Sequence, residues 1–399
     1  MSLNTIFLII NIIFFYYMIK NIKFFGVKES FLLGLTFYTV LPFLICVFFE
    51  SFLYDNFPKF NGFSLIELTI FQFTYILMIS SFLFGYYLNN NNLIKSHVIK
   101  IKFSKIELII AIFILFISLS FNIPNLNTVI LILILLLLLN SKLRLKSYQK
   151  IFIVIFLAIA LQFLSSYISG ARRDIVKIFL ISLFFLSINL KQEKKQFYYI
   201  FILFVVSIIF IFYTTYLRTD WEFYITFKTF IFSSSRALVQ NYDFMPAFDN
   251  LIYILNNTDF LYGQSLFKIF FSWIPREVWI FKPEDTNTLI TQLRENSFVG
   301  GDSAAVTLLG EVFWNFGYPG VLTIFFAIGY IIKSFDLIYK NKLSDIEIIL
   351  ASSMTYLFFL LWRGSVSTTL LIYMINIFSI LTLLMSIKIL IKLINEKKN

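Results

Sequence analysis

Apolar runs of about 17 to 25 residues recur along this chain, and each is long enough at 1.5 Å per residue to cross a hydrocarbon core of roughly 30 Å. Eleven such spans are expected, near residues 4–20, 31–50, 65–88, 106–121, 126–140, 151–168, 175–190, 197–217, 319–339, 346–362 and 366–391. In lipid every backbone amide must find its partner inside its own segment, so runs of this kind fold as helices or do not span at all. The fold class that follows is all-α, a polytopic integral membrane protein forming a single domain over residues 1–399. Composition agrees: 59% of residues are hydrophobic and 14% charged, against roughly 45–50% and 25% in soluble domains.

The connectors carry an independent signal. Lys20, Lys23 and Lys28, then Lys95, Lys100, Lys102 and Lys105, then Lys142, Arg144, Lys146 and Lys150, then Lys191, Lys194 and Lys195, then Lys333, Lys340 and Lys342 make every second connector basic, and the tail adds Lys388, Lys392, Lys397 and Lys398. Positive residues in short loops stay on the cytoplasmic side, which an eleven-span chain with N outside and C inside reproduces. The net charge of +11 is therefore a topology signal, and no nucleic-acid partner is expected. The N-terminus lacks the basic region of a cleavable signal, so the first span is expected to remain as an anchor.

Which cation stands on which side forms a second pattern. Of eight arginines only Arg144 falls inside by this reckoning; Arg172, Arg173, Arg218, Arg236, Arg276, Arg294 and Arg363 fall outside, where topology disfavours them. A guanidinium never loses its charge and offers a planar fork of donors matched to phosphate or carboxylate. The alternative is structural pairing with Asp174, Asp220, Asp243 and Glu277. Several of these arginines sit at span ends: Ser169-Gly170-Ala171-Arg172-Arg173-Asp174 turns between the sixth and seventh spans, Arg218-Thr219-Asp220 closes the eighth, and Trp362-Arg363-Gly364-Ser365 joins the last two.

One connector is unlike the rest. Residues 218–302 carry ten acidic and seven basic residues interleaved with aromatics, too polar to span, and are expected to form a large extracytoplasmic loop. Residues 251–255 and 266–271 within it read as short interfacial helices, with Trp273 and Trp279 at headgroup depth. Beyond the loop, residues 304–316 are apolar enough for a helix, contain Glu311, and are broken by Gly317-Tyr318-Pro319-Gly320 as the ninth span begins. A carboxylate near membrane depth is a functional candidate, with a plain ion pair to an arginine as the alternative. The lone Cys46 has no partner for a disulfide, and the lone His97 lies in a basic connector, so neither Cys nor His supplies a metal site or a base outside.

SGARRD, LRTD closing a span, WIPREVWIFKP in the outer loop, GGDSAAVTLLGEVFWNFGYPG and WRGS between the last spans, taken in that order, resemble the O-antigen and capsular polysaccharide polymerases called Wzy, over roughly residues 165–370. The resemblance implies a GT-C-like membrane glycosyltransferase, metal-independent and without a cofactor, in the bacterial inner membrane. Its donor and acceptor would be undecaprenyl-pyrophosphate-linked glycans, used at the outer face, with membrane lipid around it and a chain-length regulator and a flippase as further partners. Outer arginines in that family would correspond here to Arg173, Arg218, Arg276 and Arg363, with Arg172, Arg294 and Lys282 also expected to bind pyrophosphate. A carboxylate would take the acceptor's proton, the candidates being Glu311, Asp302 and Asp220. O-antigen ligases share the span plan but resemble one another in an outer-loop histidine, which is missing here; a repeat-unit flippase would carry its polar residues along the middle of spans.

Overall fold

The structure, a computed structural model, describes residues 3–19, 25–48, 63–89, 131–132, 134–135, 147–168, 172–189, 205–207, 209, 244–257, 259–271, 274, 277–294, 305–340 and 345–396. Among them every regular element is helical. They are α1 (Leu3–Ile19), α2 (Val27–Leu35), a π-helical turn π1 (Thr36–Val40), α3 (Leu41–Phe48), α4 (Leu65–Leu88), α5 (Ser147–Ile168), α6 (Arg172–Asn189), α7 (Phe244–Asn257), α8 (Gln264–Phe271), α9 (Thr286–Arg294), α10 (Leu308–Lys340), α11 (Asp345–Leu360) and α12 (Val366–Glu396). Among the described residues four segments are long and apolar enough to cross a membrane: Val27–Phe48, Leu65–Leu88, Leu308–Leu337 and Val366–Leu383. The spans expected at 106–121, 126–140 and 197–217 lie outside the described residues, apart from a few helical positions in the last two.

Local chemistry explains several boundaries. Ser64 caps α4 by accepting from the Glu67 amide at 3.2 Å while the Glu67 carboxylate accepts from the Ser64 amide at 2.7 Å, a reciprocal box that satisfies two otherwise orphaned donors. Pro42 offers no amide to the carbonyl four residues back and crowds it, and π1 just before it absorbs the misfit without ending the Val27–Phe48 helix. The second span begins at Val27, four residues earlier than expected from its apolar run, because Lys28 and Glu29 enter the helix buried and paired at 3.5 Å.

Helix directions follow from paired contacts. Asn4 accepts from Gln72 at 2.7 Å and Asn11 from the Tyr75 hydroxyl at 2.5 Å, so α1 and α4 run parallel. Phe73 meets Tyr318, Ser81 bonds the Leu322 carbonyl, and Asn89 donates to the Tyr330 carbonyl at 2.9 Å, so α10 runs parallel to α4 as well. Gly85 lies against the Phe326 carbonyl and Gly329 against that of Phe82; a side chain at either position would force these two backbones apart. The α2–π1–α3 helix runs the other way, Phe7 packing on Phe43 at 4.3 Å while Lys28 reaches Asp336 near the far end of α10.

The segment between α6 and α10 joins the bundle in two manners. In α7, Leu251 and Ile254 are fully buried, and the helix packs on α4, π1 and α10. Residues 251–255 therefore sit in the core and do not lie flat at the interface as expected; their neighbours in space, distant in sequence, cover them. In α8, by contrast, Phe267, Phe270 and Phe271 remain exposed. The loop is strapped to α10 through the Leu261 amide, which donates to the Trp314 carbonyl at 2.8 Å, and the Trp314 indole, which donates to the Asp259 carbonyl at 3.0 Å.

Candidate functional site

α10 is two helices in one. Gly317, at φ +60° and ψ −152°, leaves the helical region, a backbone geometry essentially reserved for glycine, and the chain resumes with Pro319 in its opening turn, where a missing amide costs nothing. The short piece before the break starts at Thr307, whose hydroxyl accepts from the Gly310 amide at 3.1 Å. It carries Glu311 and Asn315 one turn apart on one face, and both are completely buried.

Around Glu311 three other elements converge. Its Oε2 accepts from the Val366 amide at 2.6 Å, at the first residue of α12. Its Oε1 stands 3.3 Å from the Ser265 hydroxyl of α8. Asn315 Nδ2 donates to Ser265 Oγ at 2.7 Å and to the Glu311 carbonyl at 2.8 Å. Thr286, opening α9 and wholly buried, turns its hydroxyl toward the same carboxyl without completing a hydrogen bond. A carboxyl group at a helix N-terminus meets the positive end of the macrodipole and an otherwise unmet amide. Glu311 therefore ties the membrane helices α10 and α12 to the loop helix α8, and among the described residues no basic side chain forms an ion pair with it.

The end of α12 that Glu311 holds follows directly on a tight turn bearing Arg363. Trp362, fully buried, packs on Phe31 at 5.2 Å and on Phe325 at 6.2 Å. The Arg363 amide donates to the Leu360 carbonyl at 3.0 Å. Ser365 then caps α12, its hydroxyl accepting from the Thr368 amide at 3.3 Å. Arg363 is half-buried and lies within about 11 Å of chain from Val366, three residues at most ~3.6 Å each.

The other expected residues are distributed differently. Arg294 closes α9 and ion-pairs with Asp249 at 2.6 Å, bonds Asn250 Oδ1 at 2.7 Å and stands 5.2 Å over the Tyr253 ring; its partner is an aspartate of α7, one not among the pairings considered from sequence. Lys282 donates to the Ile274 carbonyl at 2.8 Å. Arg172 and Arg173 are the first residues of α6. Arg218, Arg276, Asp220 and Asp302 lie outside the described residues. Lys268 and Asp285 pair at 3.5 Å beside the Glu311 group, and Asp285 caps α9 by accepting from the Thr288 amide at 2.9 Å. Among the described residues no three His, Cys, Asp or Glu side chains gather in a metal-binding group.

Of this group the sequence singles out Glu311, and it does not mark Ser265 or Thr286. The i, i+4 spacing of Glu311 and Asn315 was a usable signal. Nothing local marks Ser265, which is 46 residues away from Glu311 and reaches it only through packing.

A protein-family model described as O-antigen polysaccharide polymerase Wzy matches residues 119–393. Searches of curated proteins and of solved structures found no match. The matched region contains all ten candidate residues, from Arg172 to Arg363.

Proposed function

This chain belongs to the O-antigen polysaccharide polymerase Wzy family, and from that membership we propose that it extends a glycan carried on undecaprenyl pyrophosphate at the outer face of the bacterial inner membrane. Membership makes it a membrane polymerase of lipid-linked repeat units; the carrier, the face and the chemical step are our inference. An acceptor hydroxyl oxygen forms a bond to the donor's anomeric carbon, the bond from that carbon to the pyrophosphate oxygen breaks, and the lipid pyrophosphate leaves with the electron pair. The hydroxyl's proton passes to a carboxylate.

Because the leaving group is already activated, the protein's main task is to stabilise negative charge on it. We assign this to Arg173, Arg218, Arg276 and Arg363, joined by Arg172 and Lys282, without a metal ion. Arg294 is already engaged with Asp249 and Asn250, and we give it a lesser part. Asp302 and Asp220 are our candidates for the base, since the Glu311 carboxyl is buried and turned onto the α12 N-terminus.

The observation that carries this reading is the sorting of side chains between the two ends of the bundle. Arg363, the Gly317 break and the loop helices α8 and α9 share the end where α10 starts, whereas Lys28 and Lys333 share the end near Asp336 and Tyr86. A turn bearing an arginine beside the loop helices at one end, where Lys268 and Lys282 are engaged by Asp285 and the Ile274 carbonyl, and Lys28 with Lys333 at the other, fit an outward anion-handling face and a cytoplasmic face. Deleting the gene in its host and resolving the surface glycan by gel tests the function. Polymerase activity predicts that the ladder collapses to a single repeat unit. Lipid-linked polymer that accumulates without reaching its final acceptor would indicate a ligase, and repeat units trapped inside a flippase.

A further inference from the structure

We propose that Glu311 is a positioning residue, which acts on the reaction by holding the Arg363 turn at a set distance from the loop helices. The inference rests on the reading that Arg363 contacts the pyrophosphate. Arg363 stands between two anchors. On one side Trp362 is fully buried against Phe31 and Phe325. On the other the Val366 amide is held by Glu311 Oε2 at 2.6 Å. The second oxygen of the same carboxyl faces the Ser265 hydroxyl at 3.3 Å, and Asn315, one turn along from Glu311, donates to Ser265 Oγ at 2.7 Å.

The Glu311 carboxyl thus connects three chain segments. Through Val366 it holds the turn between α11 and α12, through its own backbone the short pre-break helix of α10, and through Ser265 the helix α8. A guanidinium must sit within a fraction of an ångström of its phosphate oxygens to use its paired donors, and a turn tethered on only one side would not keep it there. Nor is the carboxyl placed to accept a sugar hydroxyl's proton directly: it has no exposed surface, and each oxygen faces a donor of this chain.

What Glu311 needs for this task is reach and an acceptor oxygen, not charge. Glutamine keeps both, accepting from Val366 through its carbonyl and donating its amide to Ser265. Aspartate keeps the charge but is one methylene short and cannot span both partners. A positioning role therefore predicts that Glu311→Gln works better than Glu311→Asp, and a proton-accepting role predicts the reverse. The experiment uses the full-length protein reconstituted in lipid vesicles with a lipid-pyrophosphate-linked repeat unit, rates being normalised to folded protein.

Glu311→Gln is expected within about threefold of the unchanged protein, and Glu311→Asp and Glu311→Ala at least tenfold lower in kcat/KM, since about 1.4 kcal/mol corresponds to each factor of ten. In an Arg363→Ala background, Glu311→Asp should add less than twofold, because a residue that acts through Arg363 has nothing left to position. A Gln variant slower than the Asp variant, or an Asp effect of full size in the Arg363→Ala background, overturns the proposal while leaving the arginine reading intact. Wild-type rates from Arg363→Ala would instead overturn that reading, and this proposal with it. Should Glu311→Ala not accumulate, the Gln and Asp comparison decides alone.

Discussion

Where α2 begins and α10 nears its end, Lys28 lies 3.5 Å from both Glu29 and Asp336, Tyr86 bonds Asp336, and Lys333 sits 4.5 Å over the Tyr86 ring. At the opposite end of the same helix, Glu311 is more deeply buried, yet a backbone amide and a hydroxyl, with no ion pair among the described residues, surround it. The first arrangement neutralises charge with charge, committing each group to the others. The second holds one carboxyl by dipoles alone, so no arginine is consumed in the holding. One end of α10 is therefore held by ion pairs and the other by hydrogen bonds to a single carboxyl group.

Five measurements break or sharpen this contrast, the largest effect first. In a Cys46→Ala background, single cysteines placed in residues 218–302 should react with impermeant reagents from outside, and those placed at residues 95–105 only from inside. The result is all or none, and labelling of the long loop from the cytoplasm would reverse the two ends. Next, Lys28→Met leaves buried Glu29 and half-buried Asp336 near each other without their cation. Breaking such a pair by removing one partner costs about 3–5 kcal/mol, so thermal stability in detergent and membrane abundance should fall sharply, with activity per folded molecule retained.

For the arginines proposed to grip pyrophosphate the expected signature is the opposite. Changing Arg173, Arg218, Arg276 or Arg363 to lysine keeps the charge and removes the fork; a charge-assisted hydrogen bond is worth roughly 1.5–3 kcal/mol, or about tenfold to over a hundredfold in rate. Abundance should stay normal. If all four variants are present at normal levels and make wild-type polymer, the outer arginines are structural and the contrast disappears. Arg294→Lys should behave unlike those four. Its ion pair with Asp249 is about one-third exposed, so we expect at most about 1 kcal/mol of stability lost and little change in rate. Last, chelators added to reconstituted protein should leave polymerisation unchanged; strict dependence on a divalent ion, restored by adding it back, would call for a carboxylate-bound metal and a different mechanism.

Much of the architecture was legible from local chemistry. The α4 helix, Leu65–Leu88, coincides with its apolar run because Ser64 and Glu67 make the cap there, and lipid offers no alternative to the helix beyond it. The break at Gly317 was readable in Gly-Tyr-Pro-Gly, since only glycine takes that backbone geometry comfortably and proline belongs in an opening turn. The start of α2 was not readable. Lys28 looks like a connector residue until Asp336, some 300 positions later, supplies the countercharge that lets it be buried.

The candidate site divides along the same line. Sequence by itself determined that the chain is built of membrane-compatible helices and that Glu311 is an exceptional carboxylate, because span length and backbone conformation are properties of a residue and its near neighbours. Only the tertiary structure decided that Glu311 faces the Val366 amide and Ser265, that Arg294 answers Asp249, and that residues 251–255 are core. Those outcomes depend on which helices touch, and in a bundle whose surfaces are nearly all Leu, Ile and Phe, apolar faces alone specify neighbours poorly. Close glycine contacts and a few buried polar pairs choose among the packings, and each such pair joins residues that sequence places far apart.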